Sequence, residues 1–418
     1  MKALTARQAL WIARSFVLLV GGTVVSAKLM DRMAVMALPL GLRNQAFIGT
    51  DFSSFYGASL LILDGRPASV YDVALHKAAQ VCALGPLADY YQFFYPPMFL
   101  LAVAPLGLLP YLTSAVVWCL ATLAPCVWVL RRWAPPQIDV LAILLFPAVT
   151  ITIVHGQNAF LTTALFGAAI LYLDKRPALA GVFIGLLAIK PHLGLLFPIY
   201  LLAMGRWSTI LWAVTTVLAL ALATTLAFGG DVWAGYAGIQ ESAKLFLETR
   251  HVHTGKMQSL FMMARSLGAS TAIGYGVQTL AGLGVAALVV VAARRKRADT
   301  LAMGALLASG SLLTTPFLLR YDLMLLAIPL IWLVKAGLES GFRPGELAVV
   351  ALSFMTPMIP PEFAQSTDVL LAPLLNGFLF AVVAQRALTG TSPGLASNHV
   401  GGGFPARSAA PRAETSAA

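Results

Sequence analysis

Long apolar runs follow one another along this chain, near 11–30, 93–110, 111–130, 138–154, 159–173, 178–190, 191–204, 209–228, 271–293, 299–316, 323–337, 346–360 and 369–385. They are continuous rather than alternating, which predicts helices, because membrane barrel strands repeat apolar and polar positions with a period of two. Several fall short of the ~20 residues that a helix needs to cross hydrocarbon unaided, so these are expected to be tilted, shielded or re-entrant. The expected fold is all-α, a polytopic membrane bundle of about 11–13 transmembrane helices.

One polar insert interrupts this pattern. Between Gly49 and Pro97 the chain carries Asp51, Asp64, Asp72, Asp89, Arg66, His76 and Lys77. Two short helices are predicted there. The first covers 52–63, with Phe52, Phe55, Tyr56, Leu60 and Leu63 on one face and Gly65-Arg66-Pro67 as its stop; the second covers about 72–84 and ends at Gly85-Pro86. Both read as amphipathic helices lying along the membrane interface. The segment 229–257 reads similarly, with Ile239, Ala243, Phe246 and Leu247 in a stripe opposite Gln240, Glu241, Lys244 and Glu248.

Composition excludes a water-soluble fold. Hydrophobic residues make up 59% of the 418, charged residues 11%, and mean hydropathy is +0.82, leaving too little polar surface to cover a globule. The net charge of +11 sits in short clusters between apolar runs, which is a topology signal and not a nucleic-acid footprint. With Lys175-Arg176, Arg206, Arg294 to Arg297, Lys335 and Arg386 on the cytoplasmic side of an inner (plasma) membrane, 31–95 and 229–257 face outside. Counting every run as one crossing then puts Arg131-Arg132 on the wrong face. Either one run between 93 and 204 fails to cross, or 178–204 is a single Pro-broken helix.

Residues 1–390 read as one transmembrane domain and 391–418 as a disordered cytoplasmic tail, the small polar composition starting near Ala387. Cys82, Cys119 and Cys126 form no framework and no metal-ligand spacing, and no metal or cofactor is expected. No small-xxx-small patch stands out from the general abundance of small residues.

Ionisable groups among apolar runs cost about 2.5–3.5 kcal/mol on insertion scales and so require a partner or a role. Asp51 is either a helix N-cap or a carboxylate at the membrane surface that can take a proton. Lys190, before Pro191-His192, is either a snorkelling lysine at a helix break or a cation reserved for an anionic group such as a phosphate. In His155-Gly156-Gln157-Asn158, Gln157 and Asn158 suit a turn and also the two-sided hydrogen bonding that sugars require. Arg320-Tyr321-Asp322 is either a self-satisfied Arg/Asp pair or a source of groups for the cavity of Asp51. His251, His253 and Lys256 close the second outer segment, and two histidines two apart make a poor metal site. Together with Tyr90, Tyr91, Phe93, Phe94 and Tyr95, these residues suggest one outward-facing cavity. That layout matches a lipid-borne phosphate leaving group and a hydroxyl nucleophile. A transporter or flippase for an amphipathic lipid-linked substrate is the alternative, although it predicts inverted repeats and paired broken helices that are not evident here.

The succession DFSSFYGASLLILDGRPASVYD, FYPPMFLLAVAPLGLLP, GQN, LAGVFIGLLAIKPHLGLLFPIYLLAMGRW and TPFLLRYD resembles glycosyltransferase family 87 over roughly residues 10–390. The family comprises membrane enzymes of the GT-C fold, including polyprenol-phosphate-mannose-dependent mannosyltransferases. The resemblance implies an inverting transfer from a polyprenyl-phosphate sugar, with Asp51 as general base. Lys190, with Arg320 and Lys256, is the expected contact of the donor phosphate. Tyr56, Tyr95, Gln157, Asn158, His192, Tyr321 and Asp322 are the expected sugar or acceptor contacts. The partners implied are membrane lipid, the lipid-linked donor and a glycan or glycolipid acceptor, with no nucleic acid.

Overall fold

The computed structural model describes residues 15–28, 50–85, 90–248, 255–295 and 298–389. Among them the chain is helical throughout, and the β-pairing consists of one isolated bridge, Met257 to Leu319. Gly49, Pro86, Asp89, His251, His253 and the expected tail 391–418 lie outside the described residues. The last helix, Ala372–Thr389, continues through Ala387, so the helical domain outlasts the point where composition turns polar.

Among the described residues, by length and composition alone, five helices can cross a membrane: Tyr111–Trp133, Trp207–Phe228, Thr271–Arg295, Arg320–Ser340 and Ala372–Thr389. A bent pair, Glu346–Met358 with Pro361–Thr367, raises the figure to six. Among the described residues the remaining runs are shorter or broken helices, and in 93–110, 138–154 and 178–204 the breaks fall at prolines, which remove backbone donors and clash with the preceding turn. The run 138–154 is split into Val140–Leu144 and Pro147–His155, and 178–204 is broken at Lys190-Pro191 into 3-10 turns.

The run 93–110 accounts for the charge conflict at Arg131-Arg132. Pro97 and Pro105 divide it into Pro97–Phe99, Leu100–Val103 and Ala104–Leu108. It folds back along the first insert helix, Phe52–Leu63. The Ser59 hydroxyl donates to the Ala104 carbonyl (2.6 Å) and accepts from the Gly107 N–H (2.7 Å), and the Tyr56 hydroxyl donates to the Leu109 carbonyl (3.0 Å). Both ends of the run therefore stay beside Asp51, and Tyr111–Trp133 makes the crossing that carries Arg131-Arg132 to the opposite end. There Asp174 accepts from Arg206 (2.5 Å) and from the Thr300 hydroxyl. Arg386 at that end is fully buried against Glu346, at 2.5 Å, and also donates to Ser340 and Gly341.

The insert helices form where expected, but the first is mostly enclosed by the protein. Phe52 through Ser59 and Leu61 are all buried, so its first two turns are enclosed on every side rather than amphipathic, and only the last turn opens at Leu63. Gly65 at φ +73° ends it. In the second, Val73–Leu84, the Asp72 carboxylate caps the Leu75 N–H at 2.9 Å. Its inward face is polar, with His76 and Gln80 fully buried. Phe55 packs edge-on against Phe93, Tyr95, Phe99 and Trp118, tying the segment that holds Tyr95 to the insert. Such ring pairs contribute about 0.5–1.5 kcal/mol each beyond burial. The helix Asp231–Glu248 turns Ile239 and Leu247 inward and leaves Gln240, Glu241 and Lys244 exposed, matching its predicted stripe.

A small-residue patch also emerges. A Cβ on Gly181 would lie 2.5 Å from the Thr209 carbonyl oxygen, and one on Gly185 would lie 2.7 Å from that of Ala213. The four-residue spacing thus lets Pro177–Leu186 approach the backbone of Trp207–Phe228 closely. This contact lies within the chain. Sequence inspection missed it because small residues are common throughout.

Candidate active site

Asp51 occupies the N-cap position of Phe52–Leu63, but its carboxylate makes no capping hydrogen bond. The cap reading therefore fails, and the helix start is held instead by the Thr50 carbonyl, which accepts from the Ser53 hydroxyl (2.6 Å). The carboxylate turns toward the Pro147–His155 helix end, where Oδ2 lies 3.6 Å from His155 Nδ1. Thr50 Oγ1 lies 3.1 Å from the same nitrogen. Gly156, at φ +62°, reverses the chain there and delivers Gln157 and Asn158 to the site. The turn reading and the binding reading of this motif are thus compatible.

Gln157 has a defined amide orientation. Its Oε1 accepts from the Tyr95 hydroxyl (2.8 Å) and the Asn158 N–H (3.2 Å), which leaves its NH₂ for the Asp51 carboxylate. The Tyr95 oxygen in turn accepts from the Tyr321 hydroxyl. A continuous polar chain therefore runs from Tyr321 through Tyr95 and Gln157 to Asp51.

At the Tyr321 end sits Lys190. Its ammonium lies 4.8 Å from the Tyr321 ring centroid and 6.0 Å from that of Tyr95, and donates to Asn158 Oδ1 at 3.4 Å. It is 4% exposed and so does not snorkel. It pairs directly with Asp322, whose other oxygen accepts from the Leu319 N–H (3.1 Å). The expected free cation is thus already compensated, and Asp322 is its counter-ion. Lys256 is exposed, and its charge acts on Asp51 together with those of His155 and Lys190. Two features fix its backbone: the Met257–Leu319 bridge and Gly255, where a Cβ would meet the Pro361 oxygen at 2.4 Å. Burial pushes the Asp51 carboxyl above the usual carboxylate range, against the opposing pull of His155, Gln157, Lys256 and Lys190.

Two expected residues stand apart. The Tyr56 hydroxyl is used on the Leu109 carbonyl and its ring packs on Phe52 and Tyr111, so it acts in the core. Arg320 does not pair with Asp322 but donates to the Pro357 carbonyl at 2.8 Å, away from Asp51. His192, by contrast, packs its ring on Phe317 within electrostatic reach of Lys190, and its buried Nε2 has no hydrogen-bond partner among the described residues. Conversely, His155 joins the site without having been singled out, since its motif drew attention to the amides.

These features define an all-helical, multi-pass membrane protein that keeps a carboxylate, an imidazole, a lysine and tyrosines together at one end of its bundle. The chain belongs to glycosyltransferase family 87, whose family model matches residues 93–316, and it is therefore a membrane glycosyltransferase. The matched stretch includes Tyr95, His155, Gln157, Asn158, Lys190 and Lys256, and stops short of Asp51 and Asp322. No curated protein and no solved structure matches the chain.

Proposed function

We propose that the protein transfers a sugar, mannose or another hexose or pentose, from a polyprenyl-phosphate donor to a hydroxyl of a lipid-linked or cell-envelope glycan. The transfer inverts the anomeric centre, and Asp51 is the general base. The observation that carries this reading is the Asp51 carboxylate itself: not spent as a cap, half-buried, and sharing one polar cluster with Lys190 and Lys256.

In the proposed step Asp51 takes the proton of the acceptor hydroxyl as its oxygen bonds to the anomeric carbon. The bond from that carbon to the phosphate oxygen breaks, and its electron pair leaves with the phosphate. A positioned base contributes roughly 10²–10⁴-fold. Lys256 is the first cation to meet the phosphate, and Lys190 follows by sharing itself between Asp322 and the leaving group. Side chains supply the positive charge in this reading, with no metal or cofactor. The unpaired Asn158 NH₂ group, fully buried beside Lys190, supports a sugar hydroxyl as its partner. The basic clusters at the far end favour an extracytoplasmic site in an inner membrane.

Protein purified in detergent, given mannosyl polyprenyl phosphate and a panel of glycolipid acceptors, tests the reading without a sealed compartment. Product formation that disappears in Asp51→Asn is expected. Full turnover by that variant would remove Asp51 from the mechanism.

A further inference from the structure

The strongest unassigned feature is the contact between His155 and Asp51. We infer that His155 is a positioning residue for the proposed base: it holds the Asp51 carboxylate ionised and in place at the start of the Phe52–Leu63 helix. This inference rests on the reading of Asp51 given above.

The geometry supports it from three sides. His155 Nδ1 faces Oδ2 of Asp51 at 3.6 Å and the Thr50 hydroxyl oxygen at 3.1 Å. The Thr50 hydroxyl is the hydrogen-bond partner of Nδ1 and fixes the plane of the ring, while the carboxylate at 3.6 Å is held as the counter-charge of the protonated imidazole. The ring also lies 6.3 Å from that of Tyr321, at the far end of the polar chain to Gln157. The His155 side chain is 36% exposed and that of Asp51 20%, so the imidazole is the more open to water of the two.

His155 is also the strongest of the groups that oppose the effect of burial on Asp51, ahead of Gln157, Lys256 and Lys190. Tyr95, Tyr321 and Tyr111 are the other titratable groups within electrostatic reach of this carboxyl, and Asp322 faces the Tyr95 and Tyr321 end. Lys256 and Lys190 stay in place when His155 is replaced, so the histidine's own effect can be isolated.

The test follows labelling of Asp51 in isolated membranes by dicyclohexylcarbodiimide, which attacks protonated carboxyl groups, between pH 4 and pH 9 by peptide mass spectrometry. His155→Gln is expected to move the half-labelling pH upward by about one unit, the lower end of what an opposite charge at this range does to a carboxyl group. His155→Lys, which restores a cation, is expected to bring it back toward the wild-type value. A midpoint unchanged or lowered in His155→Gln overturns the assignment. So does a midpoint in His155→Lys that stays where His155→Gln put it. Transfer from mannosyl polyprenyl phosphate by Asp51→Asn would overturn the underlying reading instead, and the labelling result does not depend on that outcome.

Discussion

Lys190 and Asp322, separated by 132 positions in the chain, form a buried ion pair beneath the Tyr321 ring. A lysine in an apolar run invites assignment to a substrate anion, yet this one already has a carboxylate. The pair must therefore be treated as a unit, because removing one partner strands the other charge away from water.

Lys190→Ala should destabilise the protein by about 3–5 kcal/mol, the usual result of orphaning a buried charge. The double variant Lys190→Met/Asp322→Leu should recover most of that loss while remaining inactive. Thermal unfolding in detergent beside a transfer assay separates the effects. A double variant that regains transfer would show that the pair is purely structural.

Asp51→Asn should lower transfer by roughly 10²–10⁴-fold. Its unfolding temperature should stay within a degree or two, since no helix cap is lost. A large drop in thermal stability would mean that the carboxylate holds the insert together.

For Lys256→Ala the expected change is a raised donor KM with kcat retained, because the residue is exposed and the proposed attraction to a donor phosphate would act there through screening solvent. The wild-type KM should rise with salt and the variant's should rise less. Equal salt dependence in the two proteins would remove Lys256 from donor capture.

His76 is a structural sensor of acid. Its Nε2–H donates to the Ser54 carbonyl (2.9 Å), so Nδ1 accepts from the Tyr90 hydroxyl (2.9 Å). Burial lowers its pKa to about 4, well under the ordinary 6.5. Above that ordinary value the imidazole is neutral in both folded and unfolded chains and costs nothing. Between 6.5 and about 4 the unfolded chain takes up the proton first, so stability falls with pH, by a total on the order of 3 kcal/mol. Unfolding temperature should decline over this window in the wild type and less steeply in His76→Gln. Parallel curves would place the acid sensitivity elsewhere.

Gly185→Leu should destabilise the bundle, since a side chain there meets the Ala213 carbonyl and the Thr216 side chain. A loss above about 1–3 kcal/mol is expected from such overpacking. Unfolding that matches the wild type would show that the two helices separate freely.

The helical class, the multi-pass character, both insert helices and the stripe of Asp231–Glu248 were legible along the chain. Apolar length, capping residues and helical spacing are local properties, and they survive the absence of coordinates. The membership of Tyr95, Gln157, Asn158 and Lys190 in one polar cluster was partly legible, because a membrane makes each polar residue conspicuous. What only the tertiary structure decided is pairing: that Lys190 meets Asp322 and not a free anion, that Arg320 turns to Pro357, that Tyr56 serves the core, and that His155 faces Asp51. It also decided that 93–110 turns back instead of crossing. Such outcomes depend on which of several distant donors and acceptors reach each other once the helices pack, and spacing along one chain carries no record of that competition.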